Sequence, residues 1–536
     1  MKYSFLFSLF SVILLSSFFV EQTLAAHDIN HGCKDIIGCG PPESKQVLIF
    51  VVLLFFSVML VYFISSLNIH YLPESIAIVV YGVVFGVIDK YTSSHIMDNV
   101  SLFDSDKFFL FLLPIIIFET GFSLPQSDFF RNLLPILMLA IFGTLISFIL
   151  TGFGVYLMGF LGVSLPISLR EGLILGSVGC STDPVATLAI FKALDVEPLL
   201  FILVLGESIL NDAISIIAFK SVLTYGVSEI WKPVLIFFGV VFGSVFIGVA
   251  TILILSITLK LFDIGKYPAV ETIFIIIFSF ISYHISDSIG LSGIVAAFFS
   301  GMTMSHYGYR GLSEETKHTI SQLYRTGAFI GETIAFIYIG ISLPIHEFHV
   351  NVPMIAWTLF FFLFSRAFSI FPIFFILNNL KLKKQPYVSL AIQTVIWFSG
   401  LRGAISFSLS LSPALDDFPN GKHIQTTILI CVYITLFVFG MGTYPLLKIL
   451  KIKTNQREQT LESINTMHID DDTKIGKLGS MIRTIDDKIT QYFSRPAPPP
   501  PLLREEEEED EKISSDEENS HTNFEYYQTV KLDNDI

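Results

Sequence analysis

Two carboxylates, a hydroxyl and an amide lie close together in Gly206–Asp212, inside an otherwise apolar stretch of the chain. On a helix, Glu207, Ser208, Asn211 and Asp212 would share one side, with Ser208 and Asp212 one turn apart. Because burying a charge in hydrocarbon is costly, such groups occur in a membrane only with a partner or a task. The stretch predicts a cation site within the membrane. A polar network that only locks helices together is the alternative.

A second polar stretch, Ser181–Pro184, interrupts another apolar segment. Pro184 has no backbone N–H and disfavours a helical conformation at Asp183, while Gly176 and Gly179 weaken the preceding turns. The pattern predicts a helix broken near the bilayer centre, with free carbonyl groups and the Asp183 carboxylate facing a cavity. A simple proline kink is the alternative.

Two arginines also lie in apolar stretches. Arg402 is flanked by Gly400 and Gly403, which predicts a second interrupted helix. Its guanidinium is expected either to neutralise the ends of the facing half-helices or to form a purely structural pair. Arg366 requires a buried acid, and Glu207 is the natural candidate.

With Glu207 paired, Asp183 and Asp212 remain as the free carboxylates. Thr182 and Ser208 offer further oxygen atoms beside them. A hard monovalent cation binds to several oxygen ligands and needs neither nitrogen nor sulfur. The cluster therefore predicts a site for Na⁺ or K⁺ at Asp212 and Asp183. Glu119 and Glu332 are further acids within apolar stretches.

The elements that must position these residues are predicted to be membrane helices. Hydrophobic residues make up 52% of the 536 residues and charged residues only 15%, which excludes an ordinary soluble protein. The composition predicts an all-α polytopic membrane protein, with residues 46–449 as one membrane domain of about thirteen spans. The predicted spans are 46–66, 73–89, 107–124, 132–160, 171–192, 198–223, 233–260, 267–286, 289–305, 323–344, 352–378, 389–412 and 423–449.

The two interrupted stretches are the fifth and the twelfth of these spans. If spans one to six and eight to thirteen are inverted repeats, the two breaks occupy matching positions. Paired interrupted helices in two inverted halves are typical of a transporter site.

The N-terminal region is expected to face away from the cytosol. Residues 1–26 have the charged start, apolar core and small-residue cleavage site of a signal peptide, with an uncleaved first span as the alternative. In the extracytosolic segment 27–45, Cys33 and Cys39 allow a disulfide. The sequon at Asn99 also falls outside, where glycosylation is possible.

The C-terminal region is expected to be cytosolic, because the loop lysines and arginines concentrate on that side and the number of spans is odd. Residues 450–536 contain 20 acidic and 11 basic residues, which is −9 of the total charge of −14. The acidity thus belongs mostly to this tail. The tail is predicted to be partly disordered and to be a candidate site for regulatory proteins. Nothing in the sequence predicts a nucleic-acid partner or a cofactor.

Several stretches together are similar to signature sequences of the monovalent cation:proton antiporter family, the eukaryotic Na⁺/H⁺ exchangers. The resemblance covers about residues 46–450 in order. Residues 113–121 are similar to the organellar branch, so a Golgi or endosomal membrane is expected, with the plasma membrane as the alternative. The stretches that carry the family resemblance are Ser181–Thr187, Gly206–Ala213, Gly290–Ile294 and Gly400–Ala404.

The resemblance implies a thirteen-helix inverted-repeat fold and a homodimer whose core domain moves against a dimerisation domain. It implies that Asp212 carries the cation and the proton in turn. Asp183, the carbonyl of Thr182 and Ser208 would complete the site. The resemblance also implies supporting or path roles for the Glu207–Arg366 pair, for Asn211, which stands where electrogenic relatives have a second Asp, and for Glu332, which matches a position associated with the cation path and inhibitor binding.

The predicted function is transport rather than enzymatic catalysis. If one carboxylate holds either a proton or a cation, both loaded sites have the same charge, which predicts electroneutral one-to-one exchange of Na⁺ or K⁺ for H⁺ by alternating access. A cation channel is one alternative. An intramembrane serine protease is another, because Gly290–Gly293 fits the Gly-x-Ser-Gly pattern and His284 is near in sequence. A non-transporting sensor on the same fold is the third.

Overall fold

The computed structural model describes residues 42–67, 72–91, 108–225, 231–262, 264–380 and 387–452. In these ranges the regular secondary structure is helical. The predicted signal peptide, the Cys33–Cys39 pair, the Asn99 sequon and nearly all of the acidic tail lie outside the described residues.

A helix, or two helices separated by a break, occupies each of the thirteen predicted spans. Among the described residues, nine helical segments are long and apolar enough to cross a membrane, and the total of thirteen crossings stays a prediction. The main helices are α1 (Pro42–Ser66), α2 (Glu74–Tyr91), α3 (Leu113–Ser123), α4 (Thr144–Phe160), α5 (Leu169–Cys180), α6 (Val185–Ala193), α7 (Pro198–Tyr225), α8 (Trp231–Leu261), α9 (Pro268–Ser288), α10 (Gly293–Thr303), α11 (Glu314–Ile345), α12 (Val352–Asn379), α13 (Leu390–Phe398), α14 (Ala404–Ser410) and α15 (Gly421–Ile449).

Helix α11 begins earlier than the hydrophobic pattern indicates, at Glu314 rather than at residue 323. Ser313 caps its N-terminus by accepting a hydrogen bond from the backbone N–H of Thr316. Two acidic residues in the first turn interact favourably with the positive end of the helix dipole. Capping and charge thus extend this helix beyond its apolar part, which hydrophobicity alone does not detect.

Both predicted interruptions are present. The fifth segment is divided into α5 and α6 by the non-helical stretch 181–184, and the twelfth is divided into α13 and α14 by the stretch 399–403. Ser168 and Glu171 form a capping box that fixes the start of α5. Each interrupted segment therefore ends one half-helix and begins another inside the protein.

The helices pack into two groups. The crossover bundle comprises α4–α7 and α12–α15, in which α4 packs against α5 and α12, and α15 packs against both halves of the twelfth segment. The flanking bundle comprises α1–α3 and α8–α11, in which α2 packs along α11 and α3 packs along α10. Gly82 and Gly340 let the backbones of α2 and α11 approach closely. In a membrane the hydrophobic effect does not drive helices together, and close packing at small residues stabilises their association instead.

We define two faces of the protein from the predicted topology. The inner face, predicted to be cytosolic, contains the start of α2 and the ends of α3 and α6. The outer face contains the ends of α7 and α9. Residues from those inner helix ends line one cavity, so the predicted topology and the packing agree on which ends lie together.

Candidate functional site

The two interrupted segments meet at their breaks. The backbone N–H of Asp183 donates to the carbonyl of Leu401 at 2.8 Å. The Ser406 hydroxyl donates to the carbonyl of Val178 at 2.9 Å. The two interrupted segments thus satisfy some of each other's backbone groups, which lipid cannot do. We call this arrangement the crossing.

Asp183 lies at the start of two half-helices. One carboxylate oxygen accepts the backbone N–H of Val185 at 2.9 Å, at the start of α6. The other accepts the backbone N–H of Ala404 at 3.4 Å, at the start of α14. The N-terminus of a helix carries partial positive charge, so this carboxylate is electrostatically matched. Gly403 is needed here, because a Cβ at that position would collide with the Asp183 side chain.

The two arginines lie at the opposite helix ends. Arg402 Nη1 donates to the carbonyl of Ser181, directly after α5, at 2.8 Å. Its guanidinium also stacks over the ring of Phe362, 4.7 Å from the centroid. Arg366 donates to the carbonyls of Ile396 and Trp397 in the last turn of α13. Of the two readings left open for Arg402, its position favours neutralisation of a half-helix end.

Glu207 and Arg366 form the ion pair expected from the sequence. Arg366 Nη1 and Nη2 donate to the two carboxylate oxygens of Glu207 at 2.8 and 3.3 Å. The side chain of Glu207 is only 6% exposed and that of Arg366 only 8%, so each charge depends on the other for its stabilisation. The pair fixes α7 to α12, and Glu207 is not free to exchange ions.

Asp212 lies at the crossing with hydroxyl and amide groups around it. The Ser181 hydroxyl donates to Asp212 Oδ1 at 2.5 Å. The Ser208 hydroxyl donates to the Thr182 carbonyl at 2.6 Å, and the Asn211 amide donates to the Thr182 hydroxyl at 3.0 Å. The structure therefore brings the four predicted ligand residues to one place.

Ser181 is a site residue that the sequence reasoning did not assign. The signal was present, because Ser181 is a hydroxyl in the same broken stretch as Thr182 and Asp183. Which of two neighbouring hydroxyls turns toward Asp212 depends on the backbone path through the break. That path is set by the crossing and not by local sequence.

A cavity of about 750 Å³ extends from Asp183, Asp212 and Ser208 to the inner face. Glu119 and Glu332, from the flanking bundle, line its wall. Lys192 and Arg325, both exposed, lie at the inner end of the same cavity, and the sequence pattern assigned neither of them to the site. The lining offers carboxylate and hydroxyl oxygens along a route from one face to the crossing.

Comparison with known proteins agrees with this geometry. The sequence profile of the family described as "Sodium/hydrogen exchanger, transmembrane" matches residues 51–449. The chain belongs to the sodium/hydrogen exchanger family. It is therefore a membrane transporter of the cation:proton exchange class and not a member of an enzyme family.

The chain is 46% identical over 448 residues to "Sodium/hydrogen exchanger 1" of Dictyostelium discoideum, a match that spans 83% of this chain and 66% of that relative. It is 36% identical over 425 residues to "Sodium/hydrogen exchanger 8" of Homo sapiens, over 77% of this chain and 73% of the relative. The solved sodium proton antiporter MjNhaP1 of Methanocaldococcus jannaschii shares the fold, with a TM-score of 0.59 at 17% identity over 76% of this chain and 100% of that chain.

The family assignment argues against the protease alternative, and the contacts of its two residues give it no support. Ser292 caps the N-terminus of α10, where its hydroxyl accepts from the backbone N–H of Val295. The ring of His284 stacks against Phe280 and contacts Tyr283 edge-on. The serine thus has a capping role, and the sequence pattern around it is that of a helix start.

Proposed function

We propose that the protein exchanges one Na⁺ for one H⁺ by alternating access, with Asp212 holding the cation and the proton in turn. The observation that carries the proposal is the charge at the crossing. Within the described part of the chain, Glu207 has a guanidinium partner, whereas Asp212 forms no ion pair and accepts a hydrogen bond from Ser181. Its charge is therefore left for a mobile ion to balance.

Counting formal charges at the crossing supports the stoichiometry. Arg366 and Arg402 contribute two positive charges, and Glu207, Asp183 and Asp212 contribute three negative charges. One Na⁺ or one proton makes this set neutral. A neutral loaded bundle moves without work against the membrane potential, which otherwise costs ~2.3 kcal/mol per charge per 100 mV.

The proposed cation ligands are the carboxylates of Asp183 and Asp212, the carbonyl of Thr182 and the hydroxyl of Ser208. Asp183 and Asp212 lie on different segments, α5–α6 and α7, so the site depends on the crossing. Glu332 is proposed to lie on the path of the cation, because it lines the same cavity. Oxygen ligands suit Na⁺ and K⁺, and Na⁺ is the substrate in the names of the relatives.

We propose a homodimer in a Golgi or endosomal membrane, with the C-terminus in the cytosol. The compartment rests on the similarity of residues 113–121 to the organellar branch. In an acidic compartment, Na⁺ would enter the lumen as luminal protons leave. The neutral amide of Asn211 donates to the Thr182 hydroxyl. A carboxylate in its place would add a negative charge, so Asn211 keeps the crossing at the three negative and two positive charges counted above.

Purified protein in proteoliposomes with a trapped pH indicator tests the proposal. An inward Na⁺ gradient is expected to drive proton efflux, and replacing Na⁺ by K⁺ or Li⁺ measures selectivity. A membrane potential imposed with K⁺ and valinomycin should leave the Na⁺-driven rate unchanged. A rate that follows the imposed potential would exclude electroneutral exchange, and Na⁺ current without proton flux would indicate a channel.

A further inference from the structure

An ion pair joins the two bundles at the outer face. Lys220 Nζ lies 3.0 Å from Asp287 Oδ1. Lys220 is on α7, in the crossover bundle, and Asp287 is on α9, in the flanking bundle. The side chains are 63% and 39% exposed, so water reaches the pair.

The pair lies on the opposite side of the site from the cavity. Lys220 follows Asp212 by two helical turns on α7, about 12 Å further toward the outer face. The cavity extends from Asp212 in the other direction, to Lys192 and Arg325 at the inner face. The cavity thus reaches the site from the inner side, and the ion pair joins the two bundles on the side of the site away from this cavity.

We propose that the Lys220–Asp287 ion pair is an outer latch, which holds the bundles together in the inward-open state and opens each time the site turns to the outer face. The proposal rests on exchange by alternating access. If the crossover bundle moves relative to the flanking bundle, the ends of α7 and α9 must separate for an outer pathway to form. An ion pair between those ends then favours one state over the other.

The exposure of the pair fits a latch that must open in every cycle. A deeply buried pair would be very slow to separate, whereas exposed ion pairs are weak and screened by salt. Loss of a pair of ordinary exposed strength changes a two-state population by about two- to fivefold. The latch therefore biases the equilibrium without locking it.

A reversible crosslink provides the decisive test. Lys220→Cys and Asp287→Cys are combined in a background with Cys33→Ser and Cys39→Ser, which leaves the two buried native cysteines in place. A bis-methanethiosulfonate reagent should stop Na⁺-driven proton flux in proteoliposomes, and dithiothreitol should restore it. Unchanged flux through the crosslinked protein would overturn the latch.

The matched control uses an ion pair that joins no separate elements. Glu314 and Lys317 lie 2.6 Å apart within α11. The same crosslink between Glu314→Cys and Lys317→Cys should leave the flux unchanged. Loss of flux in this control would show that the reagent, and not the latch, inhibits transport. Absence of exchange in the uncrosslinked parent would instead count against the proposed function.

Charge variants give a second measurement. Lys220→Gln or Asp287→Asn should favour the outward-open state and lower the half-saturating Na⁺ concentration at the outer face by about two- to fivefold. The reversed pair, Lys220→Asp with Asp287→Lys, should restore the parent value. Glu314→Gln should have no effect. Equal behaviour of the single and reversed variants would contradict a pairwise latch.

Discussion

The two interrupted segments have the same architecture and opposite chemical content. The break at 181–184 contains a carboxylate and three side-chain or backbone oxygen groups that face Asp212 or α7. The break at 399–403 contains a guanidinium that contacts the end of α5. The difference teaches that one break contains the proposed ion ligands and the other contains a positive charge that can compensate them. Inside a membrane, a site with exchangeable charge requires a fixed counter-charge nearby.

The largest effect is expected from removing the exchangeable charge. Asp212→Asn should reduce Na⁺-driven proton flux in proteoliposomes to the level of empty vesicles. The neutral amide has no negative charge to balance either Na⁺ or H⁺. The thermal unfolding midpoint should stay close to that of the parent. Asp195→Asn is the control, because Asp195 has a positive φ of 46° that asparagine also tolerates. Retained flux in Asp212→Asn would remove this residue from the carrier role.

Removing a fixed charge should act mainly on the free energy of unfolding. Arg366→Met leaves Glu207 buried without its partner, which should cost about 3–5 kcal/mol of stability. Thermal unfolding of the purified protein measures the loss. Combining it with Glu207→Leu should recover part of the stability, since no unpaired charge then remains. Recovery should stay incomplete, because Arg366 also donates to two carbonyls of α13. If the single variant unfolds like the parent, the pair is not structural.

Adding a charge beside the ligand break should change the transported charge. Asn211→Asp would give the crossing a further negative charge, and one Na⁺ would no longer neutralise it. The flux of this variant should therefore depend on an imposed membrane potential, unlike that of the parent. Asn211→Gln, which lengthens the side chain without charge, is the control. A variant that stays insensitive to potential would show that the charge count at the crossing does not set the stoichiometry.

The smallest effect is expected from a single hydroxyl. Ser208→Ala removes a proposed ligand and the donor to the Thr182 carbonyl, so the half-saturating Na⁺ concentration should rise by about tenfold. Ser406→Ala removes a hydroxyl at the same crossing that donates to the Val178 and Ser181 carbonyls and does not line the cavity. It should leave Na⁺ affinity near that of the parent. Equal shifts in both variants would mean that the hydroxyls act only through packing.

Most of the candidate site could be predicted from the sequence because its strongest signals are local. Pro184 interrupts a helix through its own ring and missing N–H, so the first break was visible without any partner. The glycines around Arg402 indicated the second break in the same way. The pairing of Glu207 with Arg366 could also be predicted from the sequence, because the apolar stretches contain few charged residues that could be partners.

Other features depended on contacts between distant residues. Asp183 receives backbone N–H groups from two half-helices whose starts are 219 positions apart, Val185 and Ala404. The choice of Ser181 as the donor to Asp212 follows from the backbone path at the crossing. The capped extension of α11 required the geometry of Ser313 and Thr316.

By itself the sequence determined that this protein is a polytopic membrane transporter with broken helices and a small set of costly buried charges. The cost of a charge in hydrocarbon and the stereochemistry of proline act at single positions, so they are readable from residue order. Only the tertiary structure decided which helix ends the cavity reaches and that Lys220 meets Asp287 across the bundles. Those outcomes depend on how two bundles pack, and many arrangements of the same helices would satisfy the same local pattern.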